Sequence, residues 1–273
     1  MHRTFIMSHT PTPGTALITG ASSGIGAVYA DRLARRGHDL ILVARNTARL
    51  RDVAQRLRAQ TGRQVDILGA DLATRDGQAA VEARLRADAD IDVLVNNAGF
   101  GAVAPLLDAD VEQMSAMIDV NVTALTRLTY AAVPGFVARG RGTVVNIASI
   151  VAIAPELLNG VYGATKAYVL AFTQSLQHEL ADKGVRVQAV LPGPTITEFW
   201  EVAGKSHEAL PQTWLMSSQD LVDASLAGLD QGEIVTIPPL QDGEDWTAHE
   251  ASRRALSQKL AHGTPGARYA VKA

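Results

Sequence analysis

Ser149, Tyr162 and Lys166 are the side chains in this sequence that could move a proton together. Tyr162 and Lys166 stand four apart, so on a helix they share a face. A bare Tyr-x-x-x-Lys is common on surface helices. Its weight here comes from following a buried run, Val144 to Ala148, that ends in the hydroxyl of Ser149. Reducing a ketone requires hydride on carbon and a proton on oxygen. A free tyrosine has a pKa of about 10, too high for a base near neutrality. A nearby ammonium and an oxidised nicotinamide would both favour the phenolate. Lowering the pKa by two to three corresponds to roughly 3–4 kcal/mol. Ser149 could donate a hydrogen bond to the substrate oxygen as charge develops there.

Such a reaction needs a hydride carrier, and Thr19-Gly20-Ala21-Ser22-Ser23-Gly24-Ile25-Gly26 can hold one. It follows the apolar run Ala16–Ile18 and opens a helix predicted from Ile25 to Arg36. Strand, glycine turn and helix together gather unpaired N–H groups and a positive dipole end at one point, which suits a pyrophosphate. Gly20 lets the chain leave the strand, Gly24 lets backbone approach phosphate, and Gly26 lets the helix pack close to the sheet. The spacing is G-x-x-x-G-x-G, not G-x-G-x-x-G.

Apolar runs and amphipathic stretches alternate along the chain. Predicted strands are Ala16–Ile18, Asp39–Ala44, Val65–Gly69, Ile91–Val95, Gly142–Ile147, Val185–Leu191 and Ile234–Ile237. Predicted helices between them are Ile25–Arg36, Thr47–Ala59, Thr74–Arg86, Val111–Ala138 and Tyr162–Asp182. Continuous apolar strands are those buried on both faces. The alternation implies βαβ crossovers and one parallel sheet covered by helices on both sides. Ligands in such sheets lie beyond the carboxyl ends of the strands, which makes the residues after each strand the informative ones.

Ala44 and Arg45 follow the second strand. A small neutral residue and a guanidinium suit the 2′-phosphate of NADP(H) better than the free ribose of NAD(H); Arg45 also reads as a solvated surface arginine, since Arg49 and Arg51 lie nearby. Asp71 and Leu72 follow the third strand and could meet the adenine, although Asp71 or Thr74 also reads as a helix cap. Asn97, Ala98 and Gly99 follow the fourth, where small residues let backbone pass under a flat ligand. Pro192 and Gly193 follow the sixth, and the hydroxyl of Thr197 could bind the nicotinamide carboxamide. Each of these also reads as an ordinary turn.

In joint order and spacing these residues resemble the short-chain dehydrogenase/reductase family in its single-domain branch, strongly over Gly14 to Thr197. The resemblance implies a Rossmann-type doubly wound sheet of about seven strands. It implies Tyr162 as general acid/base, Ser149 as stabiliser of the substrate oxygen, and Lys166 as the group that lowers the tyrosine pKa and binds ribose. By resemblance alone, Asn121 holds a water in a proton relay, and the chain forms a homodimer or homotetramer through its two long helices. Ser23 stands where a basic residue would help, so Arg45 carries most of the 2′-phosphate recognition.

The remaining sequence sets limits. The chain has 273 residues, 47% of them hydrophobic, and a net charge of −3 that gives no reason to expect nucleic acid or an anionic membrane. No cysteine is present, which excludes disulfides and thiolate chemistry and fits the cytoplasm. Residues 1–13 read as a disordered lead and 14–273 as one domain. Residues 195–216, with Phe199, Trp200 and Trp214, read as a lid over an apolar pocket that suits a hydrophobic carbonyl compound. The histidines show no metal spacing. Two other readings are a non-catalytic NADP-binding sensor, which would not need Ser149, Tyr162 and Lys166, and a sugar-nucleotide epimerase or dehydratase, which the short chain and glycine spacing oppose.

Overall fold

Strict alternation of burial builds the sheet. In β1 (Thr15–Thr19), Ala16 and Ile18 point into one apolar cluster and Leu17 into another; in β2 (Asp39–Ala44), Leu40 and Leu42 join the first and Ile41 and Val43 the second. Side chains that alternate between two buried faces need helices on both. The computed structural model describes residues 13–204 and 206–269. The disordered lead expected over residues 1–13 lies, except for Pro13, outside them.

The sheet is completed by β3 (Val65–Gly69), β4 (Ile91–Asn96), β5 (Gly142–Ile147), β6 (Val185–Val190) and the short β7 (Val235–Thr236). All pairings are parallel, in the order β3-β2-β1-β4-β5-β6-β7. Strand order reverses between β1 and β4, and the crevice above that point is where such sheets take ligands. One face carries α1 (Gly24–Arg35), α2 (Thr47–Thr61) and α8 (Ser218–Gln231), through Tyr29, Leu33, Leu50, Leu57, Leu221 and Leu226. The other carries α3 (Arg75–Ala87), α5 (Leu125–Ala138) and α6 (Gly160–Leu180), through Val81, Leu85, Leu128, Phe136, Leu176 and Leu180.

The expected doubly wound parallel sheet of seven strands is therefore present. Some details differ from expectation. The helix predicted across 111–138 is α4 (Val111–Ile118) and α5 joined by a π-helical turn, Asp119–Ala124. The helix α8 falls in a stretch given no element from sequence, although Ser217 caps it by accepting from Asp220 N and Gly232 ends it in the left-handed conformation.

The chain divides into two compact units, residues 1–238 and 239–273. The second contains α9 (Gly243–Ser257), capped by Asp242, on which the Trp246 and His249 rings stack 5.1 Å apart. No helix among the described residues is long and apolar enough to cross a membrane.

Candidate active site

The glycine loop is held by contacts that tolerate no added atom. Gly20 has φ +67° and Gly24 φ +52°, a region that favours glycine. A Cβ on Gly26 would overlap the Gly20 carbonyl and the Asn97 amide. Asn97 is the reason. Its Nδ2 donates to Thr19 O at 2.9 Å and Gly20 O at 3.2 Å. Thr19 Oγ1 accepts from Asn97 N and Ala98 N, both at 3.0 Å. The turns after β1 and β4 are thus stapled across the switch point. Ser23 precedes α1 in an extended conformation without a side-chain cap, and no acidic residue lies in the first turn. The first amides of α1 are left for another acceptor, and the loop's geometry fits a pyrophosphate. Ser22 and Ser23 flank this point half-buried, and Ile25 packs against the core beneath it.

The adenosine-side residues fare unevenly. Arg45 is exposed just after β2 and makes no ion pair among the described residues. Arg49 is exposed as well, and its Nη1 meets Glu198 Oε2 at 2.7 Å. Thr74, not Asp71, caps α3, accepting from Gly77 N at 3.1 Å. Asp71 Oδ1 instead accepts from Ala73 N at 3.0 Å. Leu72 is buried in the core beside Ala70, Val81 and Leu85.

Ser149, Tyr162 and Lys166 do converge. Ser149 follows β5, its Oγ accepting from Val151 N at 3.3 Å. Tyr162 lies in the first turn of α6, with its phenol beside the Ser149 hydroxyl. Lys166 Nζ stands 5.8 Å from the centre of the Tyr162 ring and donates to Ile147 O at 2.8 Å. All three are buried. Burial pushes the Tyr162 phenol up to about 12, with the Ser149 hydrogen bond opposing it. Burial also pulls the Lys166 ammonium down to about 8. Both shifts are toward the uncharged form. In the chain without coenzyme, desolvation is the largest influence on the Tyr162 phenol and the Ser149 hydroxyl opposes it.

The surroundings fix these three. Asn159 caps α6 by accepting from Val161 N at 2.9 Å and Tyr162 N at 3.3 Å, while its Nδ2 donates to Ala104 O at 2.6 Å. An Asn just before a helical run is a capping signal. Asn121 lies in the π-turn, a frequent mark of functional sites. Its amide donates to Phe100 O at 2.9 Å and Thr165 Oγ1 at 3.1 Å and accepts from Phe100 N at 3.1 Å. A Cβ on Gly99 would fall 2.8 Å from Asn121 Oδ1 and 3.6 Å from Lys166 Nζ. Beneath, a buried chain runs from Thr129 through Asn96 and Asn146 to Thr173, each link within 3.1 Å. It joins α5 to α6 across β4 and β5 and was not singled out from sequence.

The turn after β6 closes the site. Pro192 O accepts from Ile150 N at 3.0 Å, and Gly193 O accepts from Thr195 Oγ1 at 2.9 Å. Thr197 sits against Gly24, its methyl 3.3 Å from where a Cβ would be. Phe199 begins the short α7 (Phe199–Val202) and lies 5.6 Å from the Tyr162 ring, tilted by 45°. Gly101 makes room for it, since a Cβ there would overlap the Phe199 ring. With Ala102, Met114, Met117 and Val151, these rings form an apolar wall around Tyr162. Among the described residues no group of His, Asp and Glu could hold a metal ion.

Comparison with known proteins places the chain in a family. Residues 14–208 match the short chain dehydrogenase family. A short-chain dehydrogenase from Sphingobium yanoikuyae, solved in complex with NADPH, is 48% identical, with a TM-score of 0.90 over 93% of this chain and 98% of that one. The bulky-bulky ketone specific alcohol dehydrogenase from Comamonas testosteroni is 43% identical, with a TM-score of 0.88 over 95% and 99%. Serine 3-dehydrogenase from Agrobacterium fabrum is 39% identical across 72% of this chain and 78% of its own length. A stapled glycine loop, a buried Ser-Tyr-Lys cluster and a family match over most of the chain lead to one conclusion: it belongs to the short-chain dehydrogenase family of oxidoreductases.

Proposed function

We propose that the chain interconverts a bulky, apolar ketone and its alcohol with NADP(H) as coenzyme. The observation that carries this reading is the convergence of Ser149, Tyr162 and Lys166 beside the glycine loop. The bound nicotinamide supplies or accepts the hydride. Everything else falls to the protein. The amides at the start of α1, with Gly20, Gly24 and Gly26, cradle the pyrophosphate. Arg45, free of any ion pair among the described residues, takes the 2′-phosphate. Asp71, Asn97, Ala98, Gly99, Pro192, Gly193 and Thr197 border the rest of the coenzyme.

For reduction, Tyr162 Oη gives its proton to the carbonyl oxygen while Ser149 Oγ donates a hydrogen bond to the same atom. A phenol pushed up to about 12 is protonated at neutral pH, the form that reduction requires. Lys166 has one N–H engaged by Ile147 O, and its others remain for the nicotinamide ribose. Asn121 continues the proton path. Residues 195–216 cover the substrate, whose apolar groups rest against Ala102, Val151 and Phe199. The two long helical stretches pair with those of another copy through the exposed face that holds Tyr130 and Tyr168. The cysteine-free sequence supports a cytoplasmic setting.

Titration with NADPH and NADH, followed by nicotinamide fluorescence and repeated with Arg45→Ala, tests the coenzyme reading. NADPH is expected to bind at least about tenfold tighter, a gap of about 1.4 kcal/mol, and the variant to lose that gap. Turnover of aryl or branched ketones with NADPH tests the reaction. Coenzyme binding without turnover of any ketone favours the sensor instead.

A further inference from the structure

Three consecutive residues of the turn after β6 reach three separate parts of the cleft. Thr197 rests against Gly24 of the glycine loop. Glu198 extends to Arg49 of α2, 2.7 Å away. Phe199 lies over Tyr162. The segment they open is otherwise tied mainly at its base, where Ile196 N donates to Met216 O at 2.9 Å and Met216 N to Pro194 O at 3.0 Å. One further backbone bond, from Val103 N to Ala203 O at 3.2 Å, meets it from the loop after β4.

Arg49 is an odd resident of its helix. It occupies the first turn of α2, its backbone amide held by the Asn46 cap at 3.0 Å, and no acidic residue shares that turn. A cation there opposes the helix dipole. Glu198, distant in sequence, supplies the missing negative charge. Its backbone connects directly to the ring that covers the catalytic tyrosine, and Trp200 then anchors the far side by donating from Nε1 to Thr195 O at 3.0 Å. Phe199 and Trp200 meet edge to face at 5.5 Å.

We propose that Arg49 and Glu198 form a strap that fixes Phe199 over Tyr162, making both of them positioning residues of the ketone pocket and leaving 2′-phosphate selection to Arg45. This rests on the ketone reductase reading above. Two neighbouring arginines then have separate duties. Arg45 is unpaired among the described residues and answers to the coenzyme. Arg49 is paired and answers to the substrate segment.

The test compares Arg49→Ala, Glu198→Ala, the double variant and the exchange Arg49→Glu/Glu198→Arg, with a bulky aryl ketone and saturating NADPH. Each single variant should raise the ketone KM roughly two- to fivefold, the span of an exposed ion pair, with kcat and the NADPH/NADH ratio near wild type. The double variant should equal a single one, and the exchange should restore KM to within about twofold. The strap is exposed and screened by salt, so the wild-type KM at high salt should approach that of the variants. If Arg49→Ala abolishes NADPH preference as Arg45→Ala does, while Glu198→Ala leaves KM unchanged, Arg49 is a coenzyme residue and the strap is overturned. Should the wild type reduce no ketone, the reaction reading fails on its own. The strap is then read by protease cleavage within residues 195–216 and by tryptophan fluorescence. Single variants should be cut faster and the exchange protected again; wild-type behaviour in both singles would overturn it.

Discussion

The two sides of the cleft are held by different physics. On the glycine-loop side, position is set by backbone: positive-φ glycines, a Cβ-free contact between Gly26 and the Gly20 carbonyl, and the Asn97 and Thr19 staple. On the Phe199 side, position is set by tilted and edge-to-face ring contacts and by one ion pair whose partners are about half exposed. A ligand that never varies suits the first construction, because backbone amides cannot repack. A pocket that must suit a particular substrate suits the second, because each side chain is separately replaceable. Tyr162 lies where the two meet.

The largest expected effect is therefore at Tyr162. Tyr162→Phe keeps the ring under Phe199 and removes only the proton carrier. Its kcat should fall by about 10²–10⁴, the usual share of general acid–base catalysis, with coenzyme affinity unchanged. Stopped-flow single turnover and an NADPH titration measure both. Loss of coenzyme binding in this variant would mean that the two sides are not separable.

The next effect concerns stability. Lys166 has a folded pKa of about 8 against an ordinary 10.5. Between those values the unfolded chain binds more protons, so stability rises with pH; below about 8 the full cost is present. Tyr162 acts oppositely, since its rise from 10.0 to about 12 makes the folded chain bind more protons there, and stability falls above pH 10. Urea unfolding of wild type and Lys166→Met should show the variant more stable near pH 7.5. That advantage should shrink by roughly 2–3 kcal/mol by pH 10. A constant difference would mean that Lys166 is solvated in the folded protein.

The contrast between the sides also explains what could be read from sequence. Glycine spacing, strand-end position and apolar alternation are local or periodic, so the sheet, the loop and the Ser149, Tyr162 and Lys166 set were legible. The partner of Arg49 was not, because Glu198 lies far along the chain and one exposed arginine reads like another. Nor was the Thr129–Asn96–Asn146–Thr173 chain, whose members come from separate elements and meet only across the folded sheet. Asp71 and Thr74 were both candidate caps, and only geometry assigned the role to Thr74. The burial that raises the Tyr162 phenol was hidden for a related reason: neighbouring charge is suggested by spacing, whereas desolvation depends on everything packed around the group.

A smaller effect is expected at Gly26. Gly26→Ala places a methyl against a backbone carbonyl that has no other rotamer to adopt. Overpacking of this kind costs typically about 1–3 kcal/mol, and the strain falls on the turn that faces the pyrophosphate. Thermal unfolding should drop by several degrees and NADPH affinity by about tenfold or more, while the ratio of activities on bulky and small ketones stays fixed. A shift in that ratio would show that backbone strain on the loop reaches the substrate wall.

Phe199→Ala should give the converse, and the smallest, result. The ring is half-buried and packs on Tyr162 and Trp200, so its loss should cost only about 1–2 kcal/mol of stability, below the range for a fully buried Phe. Space then opens directly above the phenol, where Gly101 already leaves no Cβ. Activity on a small ketone should fall because nothing presses it toward Tyr162. Activity on a bulky one should hold or rise, moving the bulky-to-small ratio of kcat/KM by about tenfold, within the discrimination that apolar contacts usually supply. NADPH affinity should not change, since Thr197, not Phe199, is the residue that touches the glycine loop. The pair of variants then separates the two sides completely: Gly26→Ala moves coenzyme affinity at constant substrate ratio, and Phe199→Ala moves substrate ratio at constant coenzyme affinity. If Phe199→Ala also weakens NADPH, the ring holds Thr197 against Gly24, and the substrate side is a support of the coenzyme side and not merely its neighbour.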